Sequence, residues 1–209
     1  MVIDLPTLYG HQVDMVDRLR SSIAKHRAAI LQAPPGTGKT RIAKWMLGTA
    51  ANREPKPNQT GKSLFAVHRR GLVDNASNSF NEYPELPHGV LMAGVTHDVA
   101  RAVQVASIDT LLSWFCEGGK YSWDETFDLI VYDETHSHLS KLKTFLASHN
   151  ARRLELDLAL PYVIGLTATP QAQGLSDLFY EIVRGPETQW LIDQGFLKPY
   201  RYFRATQGK

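Results

Sequence analysis

Two short stretches concentrate the side chains that could do chemistry. "QAPPGTGKT", residues 32 to 40, places two glycines, a lysine and a threonine directly after the apolar run "AAILQ". "VYDETHSHL", residues 131 to 139, sets two adjacent carboxylates and two histidines behind another apolar run. In the first stretch, Gly36 and Gly38 let the backbone fold around phosphate oxygens, and Ala33 stands where the usual phosphate-loop pattern opens with glycine. Lys39 would reach the β and γ phosphates of a nucleotide, and the Thr40 hydroxyl would ligate Mg²⁺. A helix starting near Lys39 would aim its free N–H groups and positive dipole end at the same phosphates. Pro35, Gly36, Thr37, Gly38, Lys39 and Thr40 are therefore the candidate cradle.

The acidic stretch admits three readings: a metal cluster, a polar helix start, or the acid end of a nucleotide site. A phosphate cradle needs a magnesium-holding carboxylate at the end of another strand, and Asp133 stands there. Glu134 would act on the attacking water as general base. Taken alone, either acid would serve equally as a helix cap. A zinc reading of His136 and His138 is weaker, because positions two apart on a helix do not share a face and no cysteine stands nearby. His138 reads as an ordinary helix residue.

These side chains require strands that end together. Short apolar runs recur as "AAILQ", "SLFAVH", "GVLMAG", "AVQVASI", "FDLIVYDE" and "YVIGLTAT", each a candidate buried strand. Stretches with helical spacing alternate with them: "HQVDMVDRLRSSIAKH", "KTRIAKWMLGTAA", "GLVDNASNSF" and "SHLSKLKTFLASHN". That alternation predicts an α/β fold of three layers, a mostly parallel sheet covered by helices on both faces. "NREPKPNQTGK", "NEYPELPHG" and "EGGKYSWDET" read as surface loops, and "ARRLELDLAL" fits helix or strand.

With 209 residues and 43% hydrophobic content, the chain can bury a full core. The formal charge of +2 excludes a generally basic surface, so a nucleic-acid contact would need a local patch. A single cysteine, Cys116, excludes a disulfide framework and a cysteine-built metal site, and it fits a reducing, intracellular setting, cytoplasmic or nuclear. No apolar run is long enough to span a membrane, and the N-terminus lacks the apolar core of a secretion signal.

Taken in order, "QAPPGTGKT", "VYDETH" and "GLTATP" resemble motifs I, II and III of the superfamily 2 helicases and translocases. The second is close to the DEAH-box spelling, here Asp133-Glu134-Thr135-His136; Thr135, where alanine is common, has no assigned role. The resemblance implies a RecA-like P-loop NTPase lobe over residues 1–200, with 201–209 leading as a linker toward a second lobe in cis or in trans. It implies ATP and Mg²⁺ as cofactors, with catalytic roles for Lys39, Asp133, Glu134 and His136 and metal ligation by Thr40 and Asp133. Lacking arginines from a second lobe, the chain is expected to bind nucleotide weakly and hydrolyse it poorly.

Weaker likenesses fill the gaps. "LYGHQ" is similar to a segment whose glutamine reads the adenine edge, a role that would fall to Gln12; Tyr9, in place of a common arginine, would stand against the base or in the core. "AVHRRGLVDN" is similar to motif Ia and makes His68, Arg69 and Arg70 candidates for the nucleic-acid backbone, although an exposed basic helix start has the same letters. "VQVASIDTLL" adds Ser107 and Thr110, with a helix cap by Ser107 or Asp109 compatible. In "GLTATP", the hydroxyls of Thr167 and Thr169 would bond near His136 and Asp133 and couple nucleotide state to strand grip, where a plain strand end is the alternative. The tail "LFYEIVRGPETQWLIDQGFLKPYRYF" looks like the last helices of the lobe in the branch of phage and transcription-repair DNA translocases, which points to DNA rather than RNA. The function so implied is the ATP-binding lobe of a DNA helicase or translocase. The alternatives are an ATP-switched nucleic-acid-binding module and the motor part of a restriction-type nuclease; oligomeric state is not legible.

Overall fold

The computed structural model describes residues 2–95, 98–116 and 126–200. Seven strands form one sheet: β1 (Ala28–Gln32), β2 (Ser63–Val67), β3 (Gly89–Leu91), β4 (Val103–Ser107), β5 (Leu129–Asp133), β6 (Tyr162–Thr167) and β7 (Glu181–Arg184). Their spatial order is β3-β4-β2-β5-β6-β1-β7, and every pairing is parallel. Among the described residues the α-helices are α1 (Gly10–His26), α2 (Lys39–Ala51), α3 (Arg70–Asn81), α4 (Ile108–Phe115), α5 (Leu139–Glu155) and α6 (Thr188–Asp193).

Successive strand side chains point to opposite faces, and the core divides accordingly. Ala29, Leu31, Phe65, Val67, Val131, Ile164 and Leu166 join Met15, Val16, Ile42, Leu47 and Val73 under α1, α2 and α3. Ile30, Leu64, Ala66, Ile130, Tyr132 and Val163 pack on the other face with Ile108, Leu111, Leu142 and Phe145 of α4 and α5. Strands buried on both faces carry unbroken apolar runs, which is why they read clearly in the sequence. The helices show the complementary period: α1 buries Gln12, Met15, Val16, Leu19, Ser22 and Ile23, then ends at Arg27 in a left-handed cap (φ 62°).

Two expectations, for the tail and for His138, need correction, and the open reading of "ARRLELDLAL" is resolved. The tail is not simply helical: Glu181–Arg184 pairs with β1 as an edge strand, and six residues of α6 follow. Four residues are too few for a period to distinguish strand from helix. "ARRLELDLAL" closes α5 as far as Glu155 and continues as irregular chain. His138 is not an ordinary helix residue but the left-handed N-cap of α5 (φ 55°), so the turn holding His136 precedes the helix. The loop expected at residues 117–126 and the linker at 201–209 fall outside the described residues, apart from Thr126, which is buried.

Candidate active site

Because all strands run parallel, the loops after β1, β5 and β6 emerge at one edge, and β6 lies between the other two. Gln32 pairs with Thr167, and Asp133 with Leu166, so the phosphate loop, the acidic pair and the Thr167 turn start at nearly one level. Ala33 N–H donates to Thr167 C=O at 3.0 Å and fixes the loop to β6. A crevice at the carboxyl ends of parallel strands is where such sheets bind ligands.

In the loop, Gly36 and Gly38 take left-handed conformations (φ 81° and 87°), which any side chain would strain. Pro35 and Gly36 are exposed, whereas Thr37 is buried with its hydroxyl donating to Pro34 C=O at 2.7 Å. α2 begins at Lys39, the lysine that precedes half-buried Thr40. The Lys39 ammonium folds over the loop onto Ala33 C=O (2.9 Å) and Pro34 C=O (3.3 Å). Burial lowers its pKa, opposed by the charges of Glu134 and then Asp133, so the cation and both acids share one electrostatic environment.

Asp133 ends β5 half-buried, its carboxylate accepting Glu134 N–H at 3.0 Å. Burial and then the Glu134 charge push its pKa up, against that bond, Lys39 and His136. Glu134 itself is left-handed (φ 52°). His136 Nδ1 lies 2.8 Å from Thr167 Oγ1 and 3.3 Å from Glu134 Oε2. Thr169 joins through its backbone, its N–H donating to Thr167 Oγ1 at 3.0 Å, whereas a hydroxyl contact was expected. Thr135 is fully buried and donates its hydroxyl to Tyr132 C=O (3.0 Å) and Leu166 C=O (3.2 Å), tying the acidic turn to β6.

Gln12 is 2% exposed. Its Oε1 accepts Tyr9 N–H (3.1 Å) and its Nε2 donates to Thr37 C=O (2.9 Å), so it clamps the start of α1 to the phosphate loop. Tyr9 lies outside the core, with the Arg41 guanidinium 5.6 Å above its ring.

The proposed strand-gripping residues share the same edge, since β2 lies between β4 and β5 and Val67 pairs with Ser107. Arg69 and Arg70 are exposed, with Arg70 Nη2 donating to Ala93 C=O at 2.9 Å. His68 turns toward the acidic edge and stacks on His138 at 5.5 Å; burial and then Arg69 and His138 lower its pKa. Ser107 caps α4, accepting Thr110 N–H at 3.2 Å with Thr110 Oγ1 at 2.9 Å. Among the described residues no three His, Cys, Asp or Glu side chains converge on a metal position, and no helix is long and apolar enough to cross a membrane. The donors Thr40 and Asp133 fit a Mg²⁺ ion that keeps waters and phosphate oxygens as its other ligands, and a cation there would relieve the crowding of two carboxylates.

Sequence reasoning missed Arg153, the packing of Thr135 against β6, and the rings of His11, Trp190 and Phe196 beside Tyr9. The odd aromatic content of the tail was the available signal for the last group.

The family described as type III restriction enzyme, res subunit, matches residues 5–172, more than half of the chain. A "51.5 kDa protein" of a Lactococcus phage is 27% identical over 177 residues, covering 83% of this chain and 32% of the relative. The DNA 3'-5' translocase XPB2 of Sulfurisphaera tokodaii is 25% identical over 162 residues, covering 78% of this chain and 31% of the relative. The chain thus spans about a third of the length of these curated relatives. Among solved structures, the nuclease-deletion mutant of the Type ISP restriction-modification enzyme LlaGI superposes with TM-score 0.63 at 14% identity, over 91% of this chain and 21% of that one. The Hef helicase domain of Pyrococcus furiosus gives 0.59 at 22%, over 83% and 37%. The Sulfolobus solfataricus SWI2/SNF2 ATPase core gives 0.58 at 17%, over 85% and 36%. At these identities the likeness is one of fold.

Proposed function

The chain belongs to the family described as type III restriction enzyme, res subunit, which makes it a superfamily 2 helicase N-terminal lobe, and on that premise we propose that it is the ATP-binding lobe of a DNA helicase or translocase motor. The observation that carries this reading is that the loop of Lys39 after β1 and the turn of Asp133 and Glu134 after β5 open at the same carboxyl edge, on either side of β6. A lysine at the helix start, beside a glycine-bearing loop and with two acids on the neighbouring turn, suits a triphosphate with its metal.

In this account Lys39 leaves the Ala33 and Pro34 carbonyls for the β and γ phosphates of ATP. Thr40 and Asp133 would hold Mg²⁺, which would supply positive charge beside the phosphate oxygens. Glu134 orients and deprotonates the attacking water. His136, through Thr167, links the Glu134 carboxylate to the turn that starts at Thr167. His68, Arg69, Arg70, Ser107 and Thr110 line the path of a DNA backbone, with DNA favoured over RNA by the names of the translocase relative and the DNA-complexed neighbours. Residues 1–200 act as one lobe and work with a second RecA-like lobe that supplies arginine to the transferring phosphoryl group. Without that arginine, turnover falls by about 10³ to 10⁵.

A second reading, the motor part of a restriction-type enzyme, is favoured by the family description and differs in what accompanies the lobe. Steady-state hydrolysis of MgATP, with and without duplex DNA, tests the proposal. The chain alone should turn over slowly and respond little to DNA; rapid DNA-stimulated turnover by these 209 residues would contradict the need for a second lobe.

A further inference from the structure

Aromatic rings from two distant parts of the chain gather beside the phosphate loop. The Phe196 ring lies 5.1 Å from Tyr9 and 4.5 Å from His11, and Trp190 stands 5.8 Å from His11 and 6.1 Å from Phe196. Tyr9, Trp190 and Phe196 remain 52%, 42% and 40% exposed. The three aromatic residues thus pack on one another and on His11 without being closed off from solvent.

Two contacts place the cluster at the loop itself. A Cβ built on Gly36 would stand 2.6 Å from Leu197 Cδ2, so the residue after Phe196 lies directly on the loop. On the other side Gln12, which tethers Tyr9 to Thr37, crowds Gly38 in the same way. The turn at residues 195–197 is held by Phe196 and Leu197 N–H groups donating to Leu191 C=O at 2.8 and 3.1 Å, with Gly195 left-handed at φ 75°. Burial lowers the His11 pKa, and its ring packs edge-on against Phe196.

We propose that Phe196 is a base-stacking residue of the nucleotide site, forming with Tyr9 the wall against which the nucleobase lies, while Trp190 and His11 position its ring. This rests on the phosphate-loop reading above. An aromatic wall selects a base by the area of its face, so it favours a purine triphosphate over a pyrimidine one.

The test compares ATP with inorganic tripolyphosphate, which lacks the base, in calorimetric titrations of wild type, Phe196→Ala and Phe196→Tyr in Mg²⁺. Phe196→Ala should weaken ATP about tenfold, within the range for one base–aromatic stack, and leave tripolyphosphate within about twofold. Phe196→Tyr should restore ATP affinity. ATP affinity unchanged by Phe196→Ala, or ATP and tripolyphosphate weakening together, would overturn the base wall while leaving the phosphate loop in place. Wild-type protein that binds neither compound would overturn the phosphate-loop reading and the base wall with it.

Discussion

Thr135 and Gly165 occupy one space at the seam between β5 and β6. A Cβ on Gly165 would stand 2.6 Å from Thr135 Oγ1 and 2.9 Å from its Cγ2. The missing side chain on one strand makes room for the hydroxyl that holds the turn after Asp133 to Leu166 C=O, one residue before Thr167. The pair therefore sets where the acidic turn lies relative to the β6 turn.

Gly165→Ala should cost about 1–3 kcal/mol through overpacking, and less in a Thr135→Ala background. Urea unfolding of both single variants and the double variant should give a coupling above about 0.5 kcal/mol. Relief should be partial, because Phe179 Cζ also lies 3.1 Å from the added Cβ. Additive costs would mean that the two residues do not share the space.

Thr167→Val keeps the shape but removes the hydroxyl that meets His136 Nδ1 and accepts Thr169 N–H. ATP affinity should stay within about threefold, whereas the change in DNA affinity on adding ATP, about 5–150-fold in coupled systems, should largely vanish. DNA titrations with and without ATP measure it. Full retention of the coupling would remove Thr167 from the relay.

Arg153 is fully buried, with its guanidinium donating to Asp128 Oδ1 at 2.6 Å and to Thr126 Oγ1 at 3.2 Å. Asp128 in turn accepts the Thr60 and Gly61 N–H groups, so the ion pair anchors the loop before β2. Arg153→Met should cost about 3–5 kcal/mol by leaving a largely buried carboxylate unpaired, and Arg153→Met with Asp128→Asn should recover part of it in the same unfolding assay.

His149 is buried and neutral, its Nε2 accepting Phe127 N–H at 2.9 Å, and burial lowers its pKa to about 4. A depressed folded pKa means stability that is present above the unfolded value of about 6.5 and lost as pH falls toward about 4. Below 6.5 the loss approaches about 1.4 kcal/mol per pH unit. His149→Gln, which keeps an acceptor, should show a flatter profile across that window; equal slopes would exclude His149 as the source.

Much of this architecture is legible in the letters because its physics is local. "AAILQ" coincides with β1 and "KTRIAKWMLGTAA" with α2, since a doubly covered strand and an amphipathic helix each impose their own period. The phosphate loop is legible for the same reason: glycine is needed where φ is positive, and lysine and threonine must follow at the helix start. What depends on distant partners is not legible. Thr135 has meaning only against Gly165, 30 positions later, and Arg153 reads as a solvated charge until Asp128 and Thr126 enclose it. Edge strand β7 follows from the neighbour it pairs with, and the Phe196 ring joins the site only because α6 brings it back to Tyr9.

Lys39, at one sheet edge with Asp133 and Glu134, makes an ATP site in the reading proposed above. Calorimetric titration of the chain with MgATP tests it most directly, comparing wild type with Lys39→Ala and Glu134→Gln. One ATP should bind per chain, with affinity lost at least about tenfold in Lys39→Ala, as expected when a charged phosphate contact is removed, and binding retained in Glu134→Gln. Wild-type affinity in Lys39→Ala would contradict it.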